Sequence, residues 1–476
     1  MVDTQQGPAA GPAAGAVSQS GIARADAHAV TATATANPTV LSPLNMRNLW
    51  LKNRVMRSSI SGRFDNEDGS LSQTRINWET MFAEGGAGAI ISSYVPVLMS
   101  GRIIAGYATI HSDEFIPLWA QLIEAVHRRG CKYIIQLSHS GRQMDLPGVH
   151  NQHRPTLSPT NSDESLHGFP TRAMTEVEIE YVIEAFAQGA RRARAAGADG
   201  IELHAANGYL FNQFLSSGIN DRTDKYGGSL FNRARFLLDV IHAIRAEVGH
   251  DYHLQVKLSA IDYNNVLPWE AAGNSLDESI KVAKMVEATG ADAIHVSIGS
   301  LFPHPLNPPG DFSYNTIAST YDAMLSSGSR TLRNYLLFRY RLLRPLFGLL
   351  WNRFKRGRLR EGVSAQEALA IKRAVSLPVI NTGGYQDREV IDKYIAENYF
   401  DAVAIARPLV ANPDLPIVWA GGRNLPARPC TLCNKCLLNA PKNPMGCYEL
   451  SRFDNDYDRM VETLMKIYRV KPDLKT

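Results

Sequence analysis

The chain has 476 residues, of which 45% are hydrophobic and 20% are charged. This composition is typical of a globular protein with a large core, and it excludes a mostly disordered chain, a coiled coil and a disulfide-rich miniprotein. The 50 basic and 46 acidic residues leave a net charge of +4, which is too small to indicate a nucleic-acid partner. No uncharged apolar run reaches the roughly 18 residues that a membrane span needs.

Residues 1–40 are rich in Ala, Gly, Thr and Ser and contain almost no large apolar residue. Such a segment buries too little surface to offset the entropy lost on ordering, so we expect a disordered tail. It lacks a basic start followed by an apolar stretch, which argues against a secretory signal. We therefore expect a cytoplasmic protein.

From residue 41 onward, short apolar runs alternate with amphipathic helical patterns. Strands that are apolar along their whole length and separated by helices are typical of parallel sheets covered on both faces. Eight such units predict an α/β fold, a (β/α)8 TIM barrel over residues 41–425, with its functional site at the carboxyl ends of the strands. The predicted strands are Arg54–Ser59, Ala89–Ser93, Tyr133–Leu137, Gly200–His204, Leu254–Ser259, Ala293–Ile298, Pro378–Asn381 and Ala402–Ala406.

Two segments do not fit a minimal barrel. Residues of about 300–362 follow the sixth strand and are too long for an ordinary strand-to-helix loop, so they form an insertion. Residues 426–476 follow the last barrel unit as a short extension and carry four of the five cysteines.

The fourth barrel unit carries the most specific motif. Residues 197–209 read GADGIELHAANGY, and the pattern continues as LFNQFL over 210–215, NDRTDKYGGS over 220–229 and NRAR over 232–235. This stretch closely resembles the old yellow enzyme family of flavin-dependent ene-reductases. Looser matches cover about 41–420, including Leu51–Arg54, Gln136–Arg142, Thr382–Gly384 and Ala406–Pro408. The resemblance implies a TIM barrel, bound FMN, hydride from NAD(P)H and reduction of an activated C=C bond.

Three residues at the end of the fourth strand are the candidate catalytic residues. His204 and Asn207 can donate hydrogen bonds from one rim to one carbonyl oxygen, where negative charge develops in the transition state. Tyr209 can protonate the α-carbon as a general acid. The alternative is that His204 is a core or capping histidine and Tyr209 a packing aromatic.

Four residues are candidates for the flavin ring. Lys257 lies inside an apolar strand, where a cation is costly without a negative partner such as a reduced flavin. The family usually carries Arg there, so Lys is a departure. Gln136 would contact the pyrimidine edge of the flavin, and Ser61 and Ser59 would contact it from the first strand, although proline is common in the family at the position of Ser59. Lys257 at the barrel rim and Gln136 as a structural glutamine are the alternatives.

The candidate phosphate site lies after the last two strands. Gly383 and Gly384 follow the seventh strand, and Arg407 follows the eighth. Phosphate-binding barrels use these two loops, with backbone N–H groups and a helix N-terminus around the anion. Arg407 would add charge-assisted hydrogen bonds.

The cysteines Cys430, Cys433, Cys436 and Cys447 have the spacing C-x2-C-x2-C-x10-C. Three close thiolates with a fourth further on favour a [4Fe–4S] cluster, with zinc or no metal as alternatives. A similar cluster follows the barrel in the larger family relatives, dienoyl-CoA reductase and trimethylamine dehydrogenase, which add nucleotide-binding domains. Only 29 residues follow Cys447, so we expect no such domain, and a cluster would either be structural or exchange electrons with an external carrier.

Within the insertion, residues 330–360 hold ten Arg or Lys and no acidic residue, interleaved with Leu, Phe and Trp. Basic and large apolar residues together predict an interfacial segment that contacts a membrane surface from the inner face. Pro345 would kink any helix near its middle. The alternatives are packing on the barrel, packing in a homo-oligomer, and an acidic protein partner or CoA.

Three functions remain open on the sequence alone. The favoured one is an FMN-dependent reductase of an α,β-unsaturated carbonyl compound, small and lipophilic. The second is an iron–sulfur flavoprotein dehydrogenase that passes electrons to an external carrier. The third is a flavin-bearing barrel that serves mainly as a membrane or partner-binding module.

Overall fold

The computed structural model describes residues 37–144, 155–266, 270–301, 303–311, 313–353 and 360–469. Of the predicted tail, residues 1–40, the first 36 lie outside these ranges. Its last residue, Val40, is fully buried, and its backbone N–H donates to Asp392 Oδ1 at 2.6 Å. Val40 therefore belongs to the packing of the barrel.

Eight parallel strands form a closed barrel, as the sequence predicts. Each strand pairs with its neighbours in the chain, and the eighth pairs with the first, which closes the ring. The strands are β1 Val55–Arg57, β2 Ala89–Ile91, β3 Lys132–Ser138, β4 Gly200–Ala205, β5 His253–Ser259, β6 Ala293–Ser297, β7 Val379–Asn381 and β8 Ala402–Ile405.

Helices cover the outside of the barrel between the strands. Thr175 and Ser275 begin two of them with capping boxes, in which Glu178 and Glu278 return the hydrogen bond. The helices are α1 Gln73–Glu84, α2 Ile116–His127, α3 Glu176–Ala195, α4 Leu210–Leu215, α5 Leu230–Val248, α6 Leu276–Ala288, α7 Tyr314–Asp322, α8 Thr331–Arg339, α9 Arg344–Arg353, α10 Ala365–Lys372, α11 Arg388–Ala396, α12 Arg407–Ala411, α13 Leu415–Ala420, α14 Lys435–Asn439 and α15 Tyr457–Met465.

An N-terminal hairpin closes one end of the barrel. Its strands, Leu44–Met46 and Leu49–Leu51, pair antiparallel, and their buried side chains pack with inward residues of the barrel strands such as Met56 and Ile134. The opposite end, where the strands finish, is left for the functional site.

The insertion after β6 contains three short helices, α7, α8 and α9. The sequence predicts a kink at Pro345 in the middle of a helix; instead α8 ends at Arg339 and α9 begins at Arg344. Pro345 is the second residue of α9, where its missing N–H costs no intrahelical hydrogen bond. Residues 354–359 of the predicted basic segment lie outside the described residues.

The Cys-rich extension folds back on the barrel. Asn77 on α1 donates its side-chain amide to the carbonyls of Ile467 and Arg469 at 2.8 and 2.9 Å. Among the residues described, none of the helices has the length and apolarity to cross a membrane.

Candidate active site

The register of the barrel strands places two rows of polar side chains side by side. Glu202 on β4 is paired with Gln136 on β3 and with Gln255 on β5. Two residues further along, Lys257 on β5 is paired with His204 and with His295. Because alternate residues of a strand face the same side, both rows share one face of the sheet.

Glu202 is the centre of the first row. It is fully buried and accepts hydrogen bonds from Gln136 Nε2 at 2.7 Å, Gln255 Nε2 at 2.5 Å and His295 Nδ1 at 2.8 Å. Burial alone would raise the pKa of Glu202, but His295, Lys257 and the hydrogen bonds lower it. The carboxylate is therefore ionised and holds the amide of Gln136 in one orientation.

Gln136 presents one unused atom. Its Oε1 is buried and accepts no hydrogen bond, while its Nε2 is committed to Glu202. A buried acceptor without a donor is costly, so this oxygen fits a ligand that brings an N–H group.

Lys257 is buried, with 5% of its surface exposed. Burial lowers the pKa of Lys257, and the nearby Glu202 opposes that effect. Among the residues described, no carboxylate lies within ion-pair distance of its ammonium group. The second row therefore carries a cation that can still take an anionic partner.

His204 and Tyr209 lie together beside this row. Their ring centroids are 4.7 Å apart, and both residues are buried. His204 Nδ1 has no hydrogen-bond partner. Burial, followed by the charges of Lys257 and His295, lowers the pKa of His204 well below its ordinary value, so the imidazole is neutral.

Asn207 is placed differently from the sequence expectation. Its backbone is in the left-handed region, with φ of 61°, and its Nδ2 donates to Ser297 Oγ at 3.2 Å and to the Ile298 carbonyl at 3.1 Å. Both amide hydrogens are therefore directed to the end of β6. Asn207 reaches a substrate carbonyl only by giving up one of these bonds.

Two tyrosines that the sequence analysis did not single out complete an aromatic wall. Tyr94 follows β2, and its ring lies 5.1 Å from Tyr209 and 6.2 Å from His204. Tyr107 lies 6.1 Å from Tyr94. In the sequence, Tyr94 directly follows the predicted strand Ala89–Ser93 as an aromatic residue, whereas nothing local marked Tyr107.

The two serines after β1 have different surroundings. Ser61 Oγ accepts the backbone N–H of Tyr94 at 2.9 Å and also hydrogen-bonds to the Tyr107 side chain. Ser59 is half-buried on the same segment. Ser61 therefore supports the aromatic wall through its own contacts.

The glycine pair after β7 packs closely against the returning end of the insertion. Gly384 has φ of 81°, and a Cβ there would lie 2.6 Å from the Arg360 carbonyl oxygen. The Gly383 carbonyl accepts the Gly362 N–H at 2.8 Å. Only glycine fits this close approach, so the insertion packs directly on the backbone at the carboxyl end of β7.

Arg407 begins α12 directly after β8 and is buried. Its guanidinium donates to Asn434 Oδ1 in the Cys-rich extension. Burial lowers the pKa of Arg407, and a group of this kind stays protonated in proteins. The sequence analysis did not identify Asn434, which contacts Arg407 across 27 residues of chain.

The four cysteines Cys430, Cys433, Cys436 and Cys447 line one pocket beside Arg407. Burial raises the pKa of the Cys430 and Cys447 thiols, and that of Cys436 to about 12. Within the described ranges, no group of three or more His, Cys, Asp or Glu side chains is arranged around the position of a single metal ion.

Glu202 is the residue that the sequence analysis missed with the most consequence. It stands in the strand reading GIELHA, where an acid among apolar neighbours was the available signal. Its three partners lie 53 to 93 positions away in the chain, so the sequence alone could not supply them.

A closed (β/α)8 barrel with its polar rows at the carboxyl ends of the strands defines the class of TIM-barrel enzymes. Within that class, the chain belongs to the NADH:flavin oxidoreductase / NADH oxidase family, whose pattern matches residues 39–313 and 353–425. This confirms the resemblance seen in the motifs and supports an oxidoreductase that uses FMN and NAD(P)H. The matched ranges leave out residues 314–352 and end before the four clustered cysteines, the first of which is Cys430.

Individual relatives agree with the family. The chain is 34% identical to an NADH oxidase of Thermoanaerobacter brockii over 398 residues, which is 83% of this chain and 53% of the relative. It is 37% identical to an NADPH dehydrogenase of Halalkalibacterium halodurans over 262 residues, 55% of this chain and 73% of the relative. The chain thus spans about half the length of the first of these proteins.

Solved structures share the fold. A 2-naphthoyl-CoA reductase in complex with 2-naphthoyl-CoA matches with a TM-score of 0.69 and 26% identity, over 86% of this chain and 56% of that one. Morphinone reductase matches with a TM-score of 0.62 and 25% identity, over 84% of this chain and 94% of that one.

Proposed function

We propose that this chain is an FMN-dependent reductase that transfers hydride from NAD(P)H to the C=C bond of an α,β-unsaturated carbonyl compound. The observation that carries the proposal is that His204, which is neutral and buried, lies next to Tyr209, with 4.7 Å between their ring centroids. Both residues lie beside the row that holds Lys257. A hydrogen-bond donor and a proton donor at one place are what this reaction requires.

The polar residues of the site fit FMN. Gln136 Oε1, buried and without a donor, matches the N–H of the flavin's pyrimidine ring. Lys257 supplies the positive charge that a reduced flavin attracts. At the other end, backbone N–H groups of the Gly383–Gly384 loop and the guanidinium of Arg407 would hold the phosphate. Ser59 and Ser61 would lie along the ring edge.

FMN, when bound, supplies the hydride that it has received from NAD(P)H. The chain's own residues then act on the substrate. His204 donates a hydrogen bond to the carbonyl oxygen, which draws electron density from the β-carbon. Tyr209 delivers its phenolic proton to the α-carbon. Asn207 adds a second donor to the oxygen when one of its bonds to Ser297 or Ile298 opens.

The test is the identity of the bound flavin and turnover of a simple enone. Protein purified without added cofactor should release about one FMN per chain on heating, and it should oxidise NADH or NADPH when 2-cyclohexenone is supplied under anaerobic conditions. Release of FAD, or no flavin after reconstitution with FMN, would overturn the proposal.

A second function rests on the cysteine cavity. Four thiols that line one pocket beside Arg407 are the ligand set of a [4Fe–4S] cluster, which Cys430, Cys433, Cys436 and Cys447 would hold and which would supply one-electron transfer. The chain would then act as an iron–sulfur flavoprotein dehydrogenase that passes electrons to an external carrier.

Metal analysis separates the two functions. Anaerobically purified protein should contain about four iron atoms and about four sulfides per chain, and Cys433→Ser should remove them while FMN stays bound. Serine at the fifth cysteine, Cys131, which is buried beside β3, is the matched control and should leave iron unchanged. Stoichiometric zinc without sulfide would exclude the dehydrogenase function.

A further inference from the structure

The insertion between β6 and β7 has buried aromatic side chains on its inner side, and among its described residues it also exposes several apolar side chains. The packed face is aromatic: Phe338 and Trp351 are 4% and 8% exposed, and the Phe338 ring lies 5.6 Å from Tyr321 and 4.6 Å from Phe347. Phe338 also belongs to an apolar cluster with Leu438 of the Cys-rich extension. The inner side of the insertion therefore packs on itself and on the Cys-rich extension.

Hydrogen bonds hold the insertion at the carboxyl end of the barrel. Asn334 Nδ2 donates to the Leu166 carbonyl at 2.7 Å, and Arg330 donates to the Ser165 carbonyl at 2.6 Å, both in the segment between β3 and α3. On the other side, Thr320 Oγ1 donates to the Leu438 carbonyl at 2.6 Å. The insertion is therefore attached to elements that surround the candidate active site.

The exposed apolar side chains of the insertion are mostly leucines. Of the eight leucines that are exposed among the described residues, seven lie between positions 325 and 349. Leu342, between α8 and α9, is 94% exposed, and Leu349 is 70% exposed. We call this set the leucine face: Leu325, Leu332, Leu336, Leu342, Leu343, Leu346 and Leu349.

The leucine face is surrounded by positive charge. Residues 331–353 contain five arginines and no acidic residue, namely Arg333, Arg339, Arg341, Arg344 and Arg353. None of the five forms an ion pair with an acid in the ranges that the structure covers. Arg344 donates hydrogen bonds to the Phe338 carbonyl and to Asn315 Oδ1, and no acid of the described residues neutralises the charge of the five.

We propose that the leucine face docks on an anionic lipid bilayer, with the leucines entering the headgroup region and the arginines contacting lipid phosphates. A second copy of the chain is disfavoured, because a two-fold interface would bring the same arginines of both copies together. Leu342, at the junction of α8 and α9, suits a bilayer, which accepts an exposed apolar side chain without a shaped pocket. An acidic protein would need such a pocket.

Docking at this place has a consequence for the substrate. The insertion adjoins the carboxyl end of the barrel, so a lipophilic carbonyl compound dissolved in the bilayer would be close to the site. This consequence rests on the proposed function, whereas the docking itself does not.

The experiment measures partition of the full chain, with its FMN, onto vesicles by cosedimentation. Vesicles of phosphatidylcholine with phosphatidylglycerol should bind it at least about tenfold more strongly than phosphatidylcholine alone, and added salt should weaken the binding. The leucine variant Leu342→Gln/Leu346→Gln/Leu349→Gln and the arginine variant Arg339→Gln/Arg341→Gln/Arg353→Gln should each lose about tenfold or more.

The matched controls make the same kinds of substitution at exposed residues outside the insertion. Trp50→Gln/Val177→Gln/Phe231→Gln removes three exposed apolar side chains, and Arg128→Gln/Lys225→Gln/Arg459→Gln removes the same charge as the arginine variant. Both should bind vesicles as the parent does. Circular dichroism and FMN content show that every variant is folded.

Three outcomes would overturn the proposal. They are equal binding to both kinds of vesicle, unchanged binding by the leucine variant, and equal losses in a control and its matched variant. A dimer in sedimentation velocity that the leucine variant dissociates would assign the face to a second copy. If the parent protein binds vesicles as expected but does not reduce enones, the proposed function alone would be contradicted.

Discussion

At the scale of single residues, burial sets the protonation states on which the proposed chemistry depends. The pKa of His204 is lowered by burial and by Lys257 and His295, so the ring donates one N–H as a neutral group. Burial raises the pKa of Tyr209 well above its ordinary value, so the phenol keeps its proton. Both states suit a site that donates hydrogen bonds and protons to a developing enolate.

The neutral state of His204 predicts a flat pH dependence. A lowered folded-state pKa keeps the imidazole uncharged as pH falls through the ordinary histidine value, so phenol ligands that mimic an enolate should bind equally between about pH 6 and pH 8. Flavin absorbance titrations measure this affinity. His204→Ala should weaken the affinity for phenol ligands, and His204→Gln, which keeps an N–H donor, should weaken it less. A step in this affinity near pH 6.5 would contradict a neutral His204.

Tyr209→Phe should affect only one half of the reaction. The variant keeps the ring contacts with Tyr94 and His204 but lacks the proton, so alkene reduction should slow by roughly 10²–10⁴-fold. Flavin reduction by NAD(P)H should stay near the parent rate. Stopped-flow absorbance separates the two steps, and Tyr94→Phe is the matched control. Equal slowing of both steps would remove Tyr209 from the proton-donating role.

At the scale of elements, the segment between β3 and α3 supports the insertion through one buried carboxylate. Glu164 accepts the backbone N–H groups of Leu166 and His167 at 3.0 and 2.5 Å. Burial opposes ionisation, but His167 and these N–H groups lower the pKa of Glu164 to about 2. The carbonyls of Ser165 and Leu166 can then receive α8.

Glu164→Gln should loosen α8 without unfolding the barrel. The amide cannot accept both N–H groups as a carboxylate does, which costs roughly 1–3 kcal/mol locally. Hydrogen exchange at residues 331–339 should accelerate, while α5 stays protected. Glu184→Gln, on the exposed side of α3, is the control. Unchanged exchange in α8 would show that the Glu164 carboxylate does not hold the insertion.

The sign of the pH effect follows from the lowered pKa. The stabilisation by Glu164 is complete above the ordinary glutamate value of about 4.5 and is lost as pH falls through about 2. At neutral pH the insertion therefore keeps its full attachment.

At the scale of the whole molecule, the Cys-rich extension and the barrel share contacts at the proposed phosphate end. Arg407 of α12 donates to Asn434, which lies between Cys433 and Cys436. Arg452 donates to the Ala411 carbonyl at 2.6 Å. Loading of the cysteine cavity and binding of FMN should therefore influence each other through Arg407.

Asn434 offers a direct measurement of this coupling. Its φ of 59° lies in the left-handed region, so Asn434→Gly keeps the backbone while removing the acceptor for Arg407. A hydrogen bond to a charged group is worth roughly 1.5–3 kcal/mol, so FMN affinity should fall about 10–100-fold. Asn439→Ala, which changes an asparagine of α14 that does not contact Arg407, is the control. Parent-like affinity in the glycine variant would contradict the coupling.

The sequence by itself determined the barrel and the motif of the family. Every one of the eight predicted strands is a barrel strand, because a buried parallel strand needs an apolar run that is legible within a few residues. The contiguous segment 197–235 identified the family for the same reason, since its residues are neighbours in the chain.

Only the tertiary structure decided how the polar groups are paired. Glu202 meets Gln136 and His295 through strand register, and Asn207 turns its amide to the end of β6. In the insertion, likewise, composition does not distinguish the apolar residues that are buried from the exposed leucines of the leucine face. The paired polar residues lie about 60 to 90 positions apart in the chain, and closure of the barrel brings them together.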